Sequence, residues 1–294
     1  MSEKEIDETS GIETTGHEWD GIKELNNPLP RWWLWTFYAT IVFSIGYVVW
    51  YPSIPLLNGS TEGLSGETTR SLLAEEMAAV QSARAATVER LAATDLETIR
   101  ADAELSRFAT AGGSSIFKVY CTQCHGSGAA GSPGYPNLND DDWLWGGDLE
   151  SIYLTIKHGV RSTDDDDTRE SEMPAFGADE LLEKDDVDAV TEFVLKISDR
   201  EHQADLAANG LEVYNDNCAA CHGPDGKGDR EFGAPNLADA IALYGTSRSE
   251  LKAQIHKPKH GVMPPWGDKL GDTGVKQLAI YVHGLGGGEK AKTE

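Results

Sequence analysis

Cysteine and methionine are scarce in this chain, with four of each in 294 residues. Basic residues are scarce too: 25 stand against 49 acidic ones, leaving a formal net charge of -24. So acidic a surface repels a phosphate backbone, which excludes nucleic acid as a partner. It suits a basic partner, because opposite fields speed encounter in a salt-dependent way. Long apolar runs are absent except for one aromatic-rich window near the N-terminus. No basic leader precedes a short apolar stretch, so nothing marks a cleavable signal peptide. No nucleophile–base pair, phosphate-binding loop or open metal site stands out, and no catalytic residue is assigned.

The length favours about two domains. Residues 1–31 are polar and acidic, with turn signals in Asn26-Asn27-Pro28 and at Pro30. Trp32 to Tyr51 then runs without a charge. A helix of that length, at about 1.5 Å per residue, spans roughly the 30 Å hydrocarbon core of a bilayer. Trp32, Trp33 and Trp35 at one end and Trp50 and Tyr51 at the other match two interfacial aromatic belts. Lys23 and Arg31 precede the span and Arg70 is the first cation after it, which leans toward a cytoplasmic N-terminus. Residues 52–109 read as a Pro/Gly/Ser linker followed by strong helix formers, with Thr94 and Glu97 at capping-box spacing.

The remainder repeats. Residues 110–200 and 205–286 share one order of features: Cys-x-x-Cys-His-Gly, Pro-Asn-Leu, His-Gly, Met-Pro, then a closing helix. The copies read Cys121, Cys124, His125, Pro136, His158, Met173 and Cys218, Cys221, His222, Pro235, His260, Met263. Closing helices are expected over Asp185–Ile197 and Val275–His283, and residues 287–294 read as a flexible tail.

Cys-x-x-Cys-His is the attachment signature of c-type haem. Two cysteines on one helical turn can each form a thioether to the porphyrin, and the adjacent histidine supplies the proximal nitrogen. Two such motifs imply two covalently bound haems c. Zinc is the rival, but a four-cysteine site usually separates its pairs by about 15–20 residues. A dithiol redox site lacks its strand–helix context. Because haem is attached to these motifs on the outer side of the membrane, everything after the span is expected to be periplasmic.

Met173 and Met263 stand at equivalent places, each followed by proline and soon by an aromatic and glycine. Thioether ligation by both is expected, leaving each iron six-coordinate and suited to electron transfer. His158, His256, His260 and His283 are competing ligands. The segments resemble the class I cytochrome c fold, in which a proline carbonyl orients the haem histidine. That resemblance gives the role to Pro136 and Pro235. The acidic runs Asp164–Asp167 and Asp140–Asp142 could form a docking rim, although charge runs are usually only solvated loops.

The run His17-Glu18-Trp19-Asp20-Gly21-Ile22-Lys23-Glu24-Leu25-Asn26-Asn27-Pro28-Leu29-Pro30-Arg31-Trp32-Trp33 closely resembles the dihaem subunit of cbb3-type cytochrome c oxidases. Anchor, linker and both haem repeats follow in that family's order. The resemblance implies an all-α protein with one N-terminal transmembrane helix and two tandem class I cytochrome c domains. It implies a subunit that takes electrons from a cytochrome c and passes them toward a monohaem subunit and a haem b/copper catalytic subunit. Such a chain is part of an enzyme only within its complex. Cys121, Cys124, His125, Met173, Cys218, Cys221, His222 and Met263 carry the family's haem motifs. Chain order pairs His125 with Met173 and His222 with Met263; the family resemblance equally allows exchange, and spacing leaves both open. The alternatives are a tethered dihaem shuttle serving another respiratory enzyme, and a dihaem peroxidase, which needs one vacant iron site.

Overall fold

The structure is a computed structural model that describes residues 5–291. It divides into two units, Met1–Ala83 and Arg84–Glu294. In the first unit, β1 (Thr14–Trp19) and β2 (Ile22–Leu25) form an antiparallel hairpin. Its turn is Asp20-Gly21, with φ of 48° and 83°. Two successive positive φ angles make a turn whose twist matches paired strands, and Asp-Gly is the sequence that tolerates them. The helical expectation omitted this element: the all-α chain carries a small hairpin where only a polar segment was read.

The helix α1 runs Arg31–Trp50 with no buried residue. It starts after Pro30, as the turn signals predict, and is long and apolar enough to cross a membrane. Trp35 and Phe43 are 73% and 70% exposed, so no protein core accounts for this apolar surface. A two-residue hairpin follows, β3 (Pro55–Leu56) with β4 (Gly59–Ser60), and then α2 (Thr69–Ala92), which continues into the second unit.

The second unit is helical. After α2 come α3 (Leu96–Ala101), α4 (Ala103–Tyr120), α5 (Thr122–His125) and α6 (Leu149–His158). Then follow α7 (Lys184–Ile197), α8 (Ala204–Asn217), α9 (Ala219–His222), α10 (Arg248–His256) and α11 (Gly267–His283). The cap expected at Thr94 lies one residue later. Asp95 accepts the Thr98 N–H to start α3, while the Thr94 hydroxyl donates back to the Arg90 carbonyl at 2.6 Å and closes α2.

The two closing helices form where expected, but each packs on the other repeat. α11 lies against α4 and α6, whereas α7 lies against α8 and α10. One core gathers Ile99, Leu105, Phe117 and Leu149 with Val275 and Leu278; the other gathers Val187, Val190 and Phe193 with Tyr214 and Ile255. The crossings have the same design. A Cβ on Gly113 of α4 would stand 2.2 Å from the Gln277 carbonyl oxygen, and one on Gly210 of α8 would stand 2.1 Å from that of Ala189. Only glycine admits so close an approach of backbones. One turn on, Phe117 packs on Tyr281 at 5.5 Å and Tyr214 on Phe193 at 4.9 Å. Thus residues 110–200 and 205–286 are repeats in the chain, while each folded half borrows its last helix from the other copy.

The segment after α11 is held down as far as Glu289. Gly287 accepts the Trp143 indole N–H at 2.8 Å, and Glu289 accepts the Gly147 N–H and pairs with Arg230. Gly287 and Glu289, in the segment read as a flexible tail, thus have hydrogen-bond partners; residues 292–294 lie outside the described ones. Two polar groups near α6, the Trp143 indole and the Gly147 amide, have no acceptor in their own loop, and the tail supplies both.

Candidate haem sites

Each Cys-x-x-Cys-His motif forms a single helical turn, α5 or α9, placed directly after the long helix that precedes it. This puts two thiols and an imidazole on the wall of one cavity. The first cavity is lined by Cys121, Cys124 and His125, and the methionine in its lining is Met263. The second is lined by Cys218, Cys221 and His222, and its methionine is Met173. The helix exchange explains this pairing. Met263 lies on the loop that leads into α11, which packs on the first repeat, and Met173 on the loop that leads into α7, which packs on the second.

The histidines are set alike. His125 Nδ1–H donates to the Pro136 carbonyl and His222 Nδ1–H to that of Pro235, both at 3.1 Å. With Nδ1 occupied, the other ring nitrogen, Nε2, is the one left to ligate. Burial lowers both histidine pKa values, against an opposing pull from the proline carbonyls, so the rings stay neutral, the form that binds iron. Apolar side chains, among them Phe117, Trp143, Ile156 and Leu278 in the first cavity and Phe176 and Ile255 in the second, complete the walls.

The rival chemistries fail on this geometry. The two cysteine pairs line separate cavities and assemble no four-cysteine zinc site. All four cysteines are unpaired, and burial, reinforced by the neighbouring thiol, pushes Cys121 and Cys218 up to about 11. A redox dithiol needs the opposite shift. The donor set fits c-type haem: two thiols on one turn, a neutral imidazole with its second nitrogen already bonded, and a thioether in the same lining.

Of the competing histidines, His260 lines the second cavity. His158, its sequence counterpart, instead donates through Nδ1–H to Asp165 at 3.0 Å, so the matching positions differ in use. The His256 carbonyl accepts the Gly177 and Ala178 amides, and His283 bonds to the Glu289 carbonyl at 2.8 Å. None of these three lines either cavity among the described residues. In the acidic runs, Asp165 is occupied by His158, and Asp142 lines both cavities. Sequence reading passed over Gly113 and Gly210, each eight residues before the first cysteine of its motif, and Phe117 and Tyr214, each four before it. The shared offsets were the signal that could have found them. Arg161 was also passed over; it has no counterpart in the repeat and so no signal.

Two cavities with this donor set define a tandem c-type cytochrome, with one membrane-length helix among the described residues. Comparison with known proteins agrees and narrows it. A model of the N-terminal domain of cytochrome oxidase-cbb3, FixP, matches residues 11–58. A model of cytochrome c oxidase, cbb3-type, subunit III, matches 108–194 and 205–282. The cbb3-type cytochrome c oxidase subunit FixP of Sinorhizobium medicae is 54% identical over 286 residues, 97% of this chain and 98% of that protein. Subunit CcoP of Cereibacter sphaeroides is 54% identical over 276 residues, 94% of this chain and 95% of its own. Subunit CcoP of Azospirillum brasilense is 46% identical over 296 residues, covering 98% and 100%. The chain belongs to the cbb3-type cytochrome c oxidase subunit III family.

Proposed function

We propose that this chain is the electron-accepting subunit of a cbb3-type terminal oxidase, anchored in the membrane by α1 and relaying electrons from a cytochrome c toward the oxygen-reducing subunit. The observation that carries the reading is a pair of cavities, each lined by a Cys-x-x-Cys-His turn and a methionine, on a chain of this family. Bound haem c supplies a one-electron couple at each site. The chain's residues do the rest. Cys121 with Cys124 and Cys218 with Cys221 hold the group covalently. His125 with Met263, and His222 with Met173, would hold the iron of each haem through a nitrogen and a thioether, leaving no site for a substrate. Pro136 and Pro235 fix the imidazoles, and the apolar walls keep water out, which lowers the reorganisation that accompanies each electron.

The two cavities share part of one wall, including Tyr135, Pro136, Leu144 and Leu243, so the second electron carrier is a direct neighbour of the first. The remaining assignments follow the membrane logic. The N-terminal segment 1–31 is cytoplasmic, 32–51 spans the bilayer, residues 52–109 link, and the two cytochrome regions 110–200 and 205–286 are periplasmic. The partners are a haem b/copper catalytic subunit, a monohaem cytochrome c subunit and a donor cytochrome c. Purification of the tagged chain from native membranes in mild detergent tests this. Haem b, copper and oxygen consumption copurifying with two haems c is the expected result. Two haems c alone, with no partner and no oxygen consumption, would leave a tethered shuttle.

A further inference from the structure

In the wall common to both cavities lies one long cation, Arg161. Its Nε–H donates to the Gly261 carbonyl at 2.8 Å and its Nη1–H to the Ser171 carbonyl at 3.1 Å. Gly261 stands two residues before Met263, and Ser171 stands two residues before Met173. One planar guanidinium therefore grips both methionine loops at the same point. We infer that Arg161 is the shared positioning residue for both methionine ligands, and that its charge acts on both haem sites at once.

The backbone around Arg161 is built for this. Its φ is 51°, in the left-handed region that a side-chain-bearing residue rarely adopts. Such strain persists only where the surroundings over-determine it, and here they do. The Arg161 amide donates to the Arg169 carbonyl at 2.9 Å. Its neighbour Val160 exchanges two backbone hydrogen bonds with Met263, at 2.9 and 3.0 Å. The first repeat's loop is thus paired directly with the methionine segment of the second, and the side chain of the next residue reaches across to the other methionine segment.

The chemistry of the side chain fits a two-loop grip. Guanidinium presents several N–H donors in a rigid plane, so two carbonyls on different loops are held in a fixed relation. An ammonium group, whose three donors share one nitrogen on a flexible stem, cannot reproduce that spacing. Both acceptors are neutral carbonyls, so these bonds leave the positive charge in place. Added electrons at either haem site then meet a cation in a partly desolvated wall, where charges act more strongly than in water. Removing it lowers both potentials together; removing one methionine lowers one.

The inference rests on the methionine assignment above, and the experiment separates the two. The full chain in its complex is compared with R161Q, R161K, M173L and M263L by spectroelectrochemical titration and by the near-infrared band of methionine-ligated ferric haem. Each methionine variant is expected to lower one midpoint potential and remove one haem's share of the band. R161Q is expected to lower both midpoints and weaken the band at both haems. R161K, which retains the charge, is expected to weaken the band at both haems while its midpoints fall less than those of R161Q. If R161Q does not accumulate, R161K alone decides through the band. Methionine variants without effect would overturn the ligand assignment. Methionine variants that act as expected, beside arginine variants that move one haem or neither, would overturn the shared role of Arg161.

Discussion

Ending the chain after Arg200 removes the whole second repeat and leaves the first repeat complete in sequence. If each repeat folded by itself, the shortened protein would keep one cytochrome domain. The packing predicts otherwise. Val275, Leu278, Ile280 and Val282 of α11 are between 0% and 5% exposed, and all belong to the core of the first half. Burying a side chain of this size contributes about 1.5–3 kcal/mol, so the four together contribute about 6–12 kcal/mol. That is as large as the whole stability of a typical domain, about 5–15 kcal/mol. The truncated chain also keeps α7 but loses α8, its partner, and keeps Met173 but loses Met263. It is expected to lack a cooperative melt and the spectrum of methionine-ligated haem at Cys121 and Cys124. Thermal unfolding followed by circular dichroism and the ferric near-infrared band provide the assay. A truncated chain that melts cooperatively and retains the band would refute the helix exchange, and with it the pairing of His125 with Met263.

Further outcomes follow from single substitutions and solution conditions. Leu278→Ala should destabilise the second unit by about 2–5 kcal/mol, measured by chemical denaturation, because Leu278 is 1% exposed in the core beneath the first haem site. Gly113→Ala or Gly210→Ala should cost about 1–3 kcal/mol, since the new methyl group meets a backbone carbonyl and the crossing helices must part; unchanged stability would contradict the close crossing. Burial, with repulsion from Asp239, Asp140 and Asp141, pushes the Asp142 carboxyl up to about 6, so the folded protein holds this proton more tightly than the unfolded chain. Stability from this group is therefore greatest at acid pH, falls as pH rises from about 4 through 6, and levels off above. Asp142→Asn should abolish that slope, and parallel stability–pH curves for the two proteins would show the shift to be absent. Finally, reduction by a basic cytochrome should slow as salt is raised, given a formal charge of -24; a flat response would remove the acidic docking surface.

The haem motifs, the membrane helix and the repeat were legible in the chain because each is local chemistry. A Cys-x-x-Cys-His turn carries its two thiols and its imidazole within five residues wherever it folds, and a charge-free run from Trp32 to Tyr51 needs no partner to be apolar. The proline carbonyls lie close behind their histidines, so their hydrogen bonds are nearly local as well. Even the N-terminal hairpin was present in Asp20-Gly21, a turn signal that the acidic composition around it obscured.

The choice of partners lay beyond local pattern. α4 and α8 offer the same glycine and aromatic at the same offsets, and α7 and α11 both carry an apolar stripe, so either closing helix satisfies either repeat by pattern. Which one docks depends on side-chain complementarity across surfaces far apart in sequence, such as Tyr281 on Phe117 and Phe193 on Tyr214. The methionines then follow their helices, Arg161 comes to lie between two loops ten and a hundred residues away, and the tail finds Trp143. The chain's periodicity picks out the candidate ligands; long-range packing, which no periodicity encodes, places each methionine at its cavity.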